Sequence, residues 1–494
     1  MIDLHFQRLF TCVFVSSFAL TACSQKTADI PLKGEASPYL FVFAGDQEMD
    51  DPDFLAMMNV DPASETKGEP ISSVSIGLRD SMPHHMEYVA PPVGEPIFMN
   101  AHHNELSLIV DIESPETLTI EKAFRPPASL RYPHDYKRTP KGTRLVGFLR
   151  GDGPNPDPTD DLDPGGHGGI AEYTMEGELI RSVSAAVPGL EKAVRPYAFA
   201  LLPEQDRFLI TSAPMHENSW ADVVQIYRYS DFTLLHTLEL PVGRLPNGEV
   251  QEGSQRAGFG PRVLDDGSVF LNAYGCAFYH VTDIDTDEPN VSMVYTLKTK
   301  AAKTDDYIRG ACGIPLRMGD FWVQPVGHRH EVVVLDISDP TAPEEVFHLK
   351  TPRTFNPHWL GKDPLGNRLV LGSELGSEQG FFILRFDEET GALAFDKAFQ
   401  GKHKGLILSR KQDGYVSFDR PAWPHGETGM AFGHAAVFHG KGNAIDYTQN
   451  KDWFAGNAID YTQNKDWFAG NALDYAQNKD WYQDVVMNSI CTIQ

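Results

Sequence analysis

In five places that share one structural phase, a histidine stands directly behind a proline or glycine at the start of a strand-like run. The cases are Pro83-His84-His85, Pro133-His134, Pro357-His358, Pro424-His425 and Gly433-His434. Neutral imidazole is the side chain best suited to hold copper, zinc, iron or nickel. One such histidine reads as an ordinary turn residue. Five in a single structural phase read as ligands that the fold collects, so the candidate metal set is His84, His85, His134, His358, His425 and His434. Glu87, close behind the pair, is either an outer partner that orients an imidazole or a surface carboxylate. His102-His103 and His328-Arg329-His330 fall in turns before outer strands and are expected in solvent, away from the set. The loop from Gly151 to His167 gathers Asp152, Asp157, Asp160, Asp161 and Asp163 without the spacing of a calcium loop, and reads as a solvated acidic loop. No G-x-S-x-G, P-loop, Rossmann fingerprint or H-E-x-x-H is present, so serine-hydrolase, nucleotide and zincin chemistry have no local support.

Histidines hundreds of residues apart meet only if the fold returns the chain repeatedly to one place. From Ser37 to His439 short apolar or alternating runs alternate with polar turns; Tyr39-Leu-Phe-Val-Phe-Ala44, Arg144-Leu-Val-Gly-Phe-Leu149, Val332-Val-Val-Leu335 and Gly380-Phe-Phe-Ile-Leu384 are typical. They are strand-length, rich in β-branched and aromatic residues, and bounded by turn formers, which predicts an all-β chain. A longer echo lies on top. Ile109-Val-Asp-Ile-Glu-Ser-Pro-Glu116 resembles Val334-Leu-Asp-Ile-Ser-Asp-Pro-Thr341, and Pro140-Lys-Gly-Thr-Arg-Leu-Val146 resembles Pro364-Leu-Gly-Asn-Arg-Leu-Val370. Repetition at roughly 50 to 60 residues with about four strands per unit indicates propeller blades, six or seven over 37–440. A pair of β-sandwiches is the rival, and it lacks such an echo. In a propeller the first strand of every blade lines the axis, so equivalent strand starts converge on one mouth of the channel.

The chain has 494 residues, 41% hydrophobic and 11% aromatic, ample for a packed core. A formal charge of −26 disfavours nucleic acid and anionic lipid headgroups as partners. The apolar run Leu9–Ala22 ends in Leu20-Thr21-Ala22-Cys23, a pattern similar to the bacterial lipobox. Residues 1–22 are therefore expected to be a removed export signal, with Cys23 lipidated as the membrane anchor and 23–36 a linker. Ser24 behind the cysteine implies sorting to the periplasmic face of the outer membrane. Cys276, Cys312 and Cys491 remain beyond the signal; an oxidising compartment leaves a Cys276–Cys312 disulfide open, and the spacing does not decide it. Residues 441–494 form a separate tail in which GNAIDYTQNKDWFA occurs twice and returns once more with small changes. The tail reads as an appendage without chemistry or as a self-associating segment.

With these residues located, the chain resembles the selenium-binding protein family, which includes the methanethiol oxidases. The matching stretches are Asp53-Phe-Leu-Ala-Met-Met-Asn-Val-Asp-Pro62, His84-His85, Asp111-Ile-Glu-Ser-Pro115, Pro133-His134, Tyr274-Gly-Cys-Ala277, Val334-Leu-Asp-Ile-Ser-Asp-Pro340 and Gly429-Met-Ala-Phe-Gly-His434. The resemblance implies a seven-bladed propeller whose axial histidines hold copper, with His84, His85, His134 and His434 at the family's positions. It further implies conversion of methanethiol, O₂ and water to formaldehyde, hydrogen sulfide and hydrogen peroxide. The chain departs from the pattern in two places: no cysteine-rich segment precedes the propeller, which argues against selenium binding, and Lys137 or Arg138 replaces a second histidine after His134. Two functions follow as expectations. One is a metal-dependent, most simply copper-dependent, oxidoreductase acting on a small thiol with O₂. The other is a non-catalytic metal-binding or scaffold propeller.

Overall fold

Short strands rich in β-branched and aromatic residues cannot bury both faces alone, so they stack into sheets and the sheets pack on one another. A computed structural model describes residues 29–440 except 92–94, 158–164, 216, 218, 243–256, 298–311, 375–379, 405–408 and 427. The expected export segment with Cys23, the repeat tail at 441–494, and Asp160, Asp161 and Asp163 lie outside the described residues. The architecture is an all-β propeller of seven blades. Among the described residues the helical content is two single 3₁₀ turns, Pro203–Gln205 and Gly327–Arg329, and no helix is long and apolar enough to cross a membrane.

Each blade is an antiparallel sheet running outward from the axis in chain order. Blade 1 consists of Pro83–Met86, Ile97–Ala101, Leu106–Ser114 and Thr117–Phe124. Blades 2 to 6 begin with the inner strands Leu130–Arg138, Pro196–Leu202, Gly258–Val263, Leu316–Met318 and Pro357–Lys362. Blade 7 breaks the order: its inner strand Ala431–His439 pairs with Tyr39–Asp46, followed outward by Phe54–Asn59 and Pro70–Ser75. Joining the last strand to the first closes the ring and leaves no open edge between first and last blades. The sequence echoes fall on equivalent places. Ile109–Ile112 lies in the third strand of blade 1, and Val334 and Leu335 in the third strand of blade 5. Arg144 and Arg368 both open second strands, in blades 2 and 6, and both are fully buried. Arg368 is held by Asp363 and donates to the carbonyls of Val60 and Ser37, tying blade 6 to blade 7.

One irregularity recurs at the axis. In each inner strand the register slips by one residue just behind the proline or glycine. Two inner residues then face one residue of the second strand: His84-His85 against Asn100, His134-Asp135 against Gly147, Tyr197-Ala198 against Thr211, Phe259-Gly260 against Asn272, and His434-Ala435 against Phe43. In blade 6 His358 is the extra residue between the pairs Pro357–Ser373 and Trp359–Gly372. Blade 5 shows the same slip, with four steps from Cys312 to Leu316 set against three from Val326 to Val323. A bulge of this kind re-aims side chains and frees backbone groups. The freed groups become clips to the next blade. Asn100 accepts from the His85 amide (2.8 Å) and donates to the Pro133 carbonyl (2.8 Å); Asn272 accepts from the Gly260 amide (3.1 Å) and donates to the carbonyls of Cys312 and Gly313 (both 3.2 Å). The Thr211 hydroxyl donates to the Phe259 carbonyl at 2.8 Å.

The pairing that the cysteine spacing left open is made. Cys276 and Cys312, both fully buried and 36 residues apart, form a disulfide between the turn before the third strand of blade 4 and the approach to the inner strand of blade 5. Closing a loop of that length removes chain entropy worth about 3 to 4 kcal/mol from the unfolded state. A Cys276→Ala/Cys312→Ala variant is expected to lose stability of that order in denaturant unfolding, and a loss under about 1 kcal/mol would show that the bridge is dispensable.

Candidate metal centre

A flat strand sends neighbouring side chains to opposite faces. The bulge in blade 1 lifts that restriction, so His84 and His85 stack on each other with ring centroids 4.3 Å apart. His134 joins from blade 2, 4.0 Å from His85 and 5.0 Å from His84 between ring centroids. His434 arrives from blade 7, stacked on His84 at 4.3 Å, and His358 from blade 6 lies 4.8 Å from His434. His84, His85 and His134 each offer a ring nitrogen within 4.8 Å of the others. All five histidines are buried.

Hydrogen bonding fixes one tautomer. The Nδ1 of His134 lies 2.8 Å from the Tyr197 carbonyl, which only accepts, so Nδ1 carries the proton and Nε2 presents a lone pair. That Nε2 faces the Nε2 of His84 at 3.1 Å. Among the described residues neither ring nitrogen of His85 has a hydrogen-bond partner, and the two ring nitrogens of His434 are buried beside the Ser373 backbone. Buried polar atoms without partners are costly. A metal cation satisfies several converging imidazole lone pairs together. Burial holds His134 down to about 3 and His358 down to about 4, and burial plus mutual repulsion holds His84, His85 and His434 well below the usual imidazole range. Every one is neutral at pH 7, the form that binds metal. The donor set fits copper, zinc or another late first-row ion; Ca²⁺ and Mg²⁺ take oxygen ligands, which this cluster lacks.

The opposite side of the ring is aromatic. At the same bulge position blades 3 and 4 carry Tyr197 and Phe259, whose rings stack at 4.2 Å, with Tyr197 4.0 Å from His134. The Tyr197 hydroxyl is buried without a partner. Trp359, next to His358, lies 5.4 Å from His85 and stacks on Tyr88 at 4.9 Å. Tyr88 donates to Asp135, which also accepts from the Phe199 amide at 2.9 Å. Lys137 and Arg262 lie over the Tyr88 ring at 5.9 and 5.3 Å. Burial pushes Asp135 up to about 6 and Lys137 down to about 8. Of the two residues that stand in place of a second histidine, Lys137 thus borders the site, while Arg138 turns away to Glu87 and Glu95.

Five of the six sequence-predicted ligands come together, and His425 does not. Its Pro-His signal precedes a turn rather than an inner strand, which starts only at Ala431. His425 packs instead against blade 7, with Nδ1 2.6 Å from the Ser73 hydroxyl, Nε2 2.9 Å from that of Thr428, and its ring 4.8 Å from Phe54. Glu87 is neither an imidazole partner nor a surface group; it is buried and takes Arg144 and Arg138 of blade 2 in an ion network. His102 was expected in solvent but is buried, with its ring 5.8 Å from His84 and 6.3 Å from His134. The missed signal is parity: in an antiparallel blade the turn between second and third strands lies at the mouth where the first strand begins. Tyr197 and Phe259 were legible too, since Pro196-Tyr197 and Gly258-Phe259 repeat the proline-or-glycine signal without histidine.

No family model matches the sequence, and no curated protein matches it. Among solved structures, the chain is similar to a hypothetical selenium-binding protein from Sulfolobus tokodaii, with 14% identity and a TM-score of 0.60 over 84% of this chain and 95% of that one. It is also similar to the periplasmic gluconolactonase of Pseudomonas aeruginosa, with 12% identity and a TM-score of 0.47 over 76% of this chain and 97% of that one. At such identities the likeness is one of fold.

The buried imidazoles make the metal-free protein acid-sensitive. Unfolded histidine takes a proton near pH 6.5, whereas burial holds His134 to about 3, His358 to about 4 and the other three well below the usual range. In that window the unfolded chain binds more protons, so stability is full above about 6.5 and falls as pH drops towards 3. Asp135, raised to about 6, works in the opposite sense, as do Asp53, Glu121 and Glu374, but over smaller shifts than the five imidazoles. Denaturant midpoints of apo protein should therefore fall steeply between pH 6.5 and 4, with a shallower slope in His134→Phe; equal slopes would contradict the neutral cluster. Tyr197→Phe removes an unpartnered hydroxyl and should leave apo stability unchanged or raise it by about 1 kcal/mol, whereas a loss of that size would show the hydroxyl to be bonded.

Proposed function

We propose that the chain is a metal-dependent oxidoreductase that holds copper, or another late first-row ion, on His84, His85 and His134 and oxidises a small thiol with O₂. The observation that carries this reading is the meeting of three buried neutral imidazoles, with no carboxylate among their donor atoms. His434 and His358 stand beside them as further donors. Bound copper supplies a redox couple and an affinity for soft sulfur. The residues of the chain do the rest. The Tyr197 carbonyl orients His134, and the wall of Tyr197, Phe259 and Trp359 makes surroundings of low polarity that suit a small uncharged molecule. The Tyr88 hydroxyl donates a hydrogen bond to the Asp135 carboxylate, which burial raises to about 6, towards the range that suits a proton acceptor. The neighbour described as a hypothetical selenium-binding protein shares the propeller fold with this chain.

Near-complete burial of the donors favours a second reading, a scaffold that holds metal without turnover. A lipid anchor at Cys23 and residence on the periplasmic face of the outer membrane belong to the proposal in either case. The Cys276–Cys312 disulfide fits that oxidising setting.

Protein produced with its export segment is expected to carry about one copper per chain by metal analysis, and a His84→Ala/His85→Ala variant less than about a tenth of that. With methanethiol the loaded protein should consume O₂ and release hydrogen sulfide. Tight copper binding without turnover selects the scaffold reading, and failure of the unaltered protein to bind any transition metal removes both.

A further inference from the structure

An ion bound by His84, His85 and His134 must first pass protein, because His85 and His134 are fully buried and His84 nearly so. One line of imidazoles leads outward from them. His102 lies beside His84, and its ring is 6.3 Å from that of His103, whose side chain is 38% exposed. His103 is held at the surface by Asp80, its Nδ1 lying 3.0 Å from the Asp80 carbonyl oxygen and 3.3 Å from the carboxylate. The turn bearing both histidines is anchored. The His103 amide donates to the Ser81 carbonyl (3.1 Å), the Glu105 amide to the His102 carbonyl (3.0 Å), and the Ser81 amide to buried Asp53 (2.7 Å). Hence His103, His102 and His84 keep their spacing, and each ring is close enough to its neighbour for side-chain motion to hand over an ion by ligand exchange. Asp80 adds a carboxylate at the outer end, and the strongly negative chain draws cations towards it.

We propose that His103 and His102 form a relay that carries a transition-metal ion between solvent and the buried histidine cluster; this rests on the metal-binding reading above. His103 takes the ion at the surface beside Asp80, and His102 passes it to His84. Neither is a resident ligand in the loaded state. A relay residue absent from the final site lowers a barrier without changing either end state. Its loss therefore slows uptake and release by the same factor and leaves affinity alone.

The test uses the apo form of the full chain and Co²⁺ or Cu²⁺ alone, with uptake followed by ligand-field absorption and release by transfer to a chelator. In His102→Asn/His103→Ala, uptake and release should both slow at least tenfold, with Kd and the final spectrum within about twofold of the parent. His103→Ala alone, at an exposed position where folding is not in question, should slow both at least threefold. Rates within twofold of the parent in both variants would overturn the relay. A weakened Kd or altered spectrum in the double variant would also overturn it, by showing that His102 belongs to the final site. If the parent chain takes up neither ion, the metal-binding reading fails first, an outcome distinct from a parent that loads normally while the variants load just as fast.

Discussion

The slip of one residue at the start of each inner strand is the constraint on which the rest of the molecule depends. A regular ladder would alternate side chains between the two faces of a blade and send His84 and His85 apart. With two residues set against one, both rings turn to the channel and stack. The same slip exposes backbone groups that must find partners, and they find them in the next blade. Asn100, Thr211 and Asn272, each opposite a bulge, carry these bonds around the axis. The site and the ring closure are therefore one structure, and neither can be altered without the other.

The ring that results is not uniform. Blades 6, 7, 1 and 2 contribute imidazoles, whereas blades 3 and 4 contribute a phenol and a phenyl ring. Burial removes charge from the first half and leaves lone pairs that want a cation; the second half offers apolar surface and no competing ligand. Electrostatic cost is met elsewhere. Buried ions such as Glu87 with Arg138 and Arg144, and Asp363 with Arg368, are paired between or within blades. Asp135 is the exception. It sits one residue from His134 and takes hydrogen bonds from the Tyr88 hydroxyl and the Phe199 amide.

Much of this is visible along the chain. The β-branched runs, the echo of Arg144-Leu-Val with Arg368-Leu-Val, and the phase of Pro83, Pro133, Pro357 and Gly433 ahead of histidine are properties of local sequence, and they place strands, blades and most of the clustered histidines. The same phase at Pro196 and Gly258 marks the aromatic half, but it escapes a search for histidines alone. His425 shows the converse failure, since proline before histidine occurs in any turn and only the next strand decides whether it faces the axis. His102 needs strand direction as well as position, because the mouth a turn occupies follows from counting reversals of the chain.

By itself, then, the sequence determined an all-β repeat, its blade period, and an imidazole supply at recurring strand starts, because these depend on short-range pattern and side-chain type. Tertiary structure alone decided which imidazoles share a site, that Cys276 meets Cys312, and that Glu87 belongs to an ion network. Those outcomes depend on which blade neighbours which, and on a one-residue register slip. Which blade neighbours which is not written in any single residue, since the ring is closed by Ala431–His439 pairing with Tyr39–Asp46 from opposite ends of the chain.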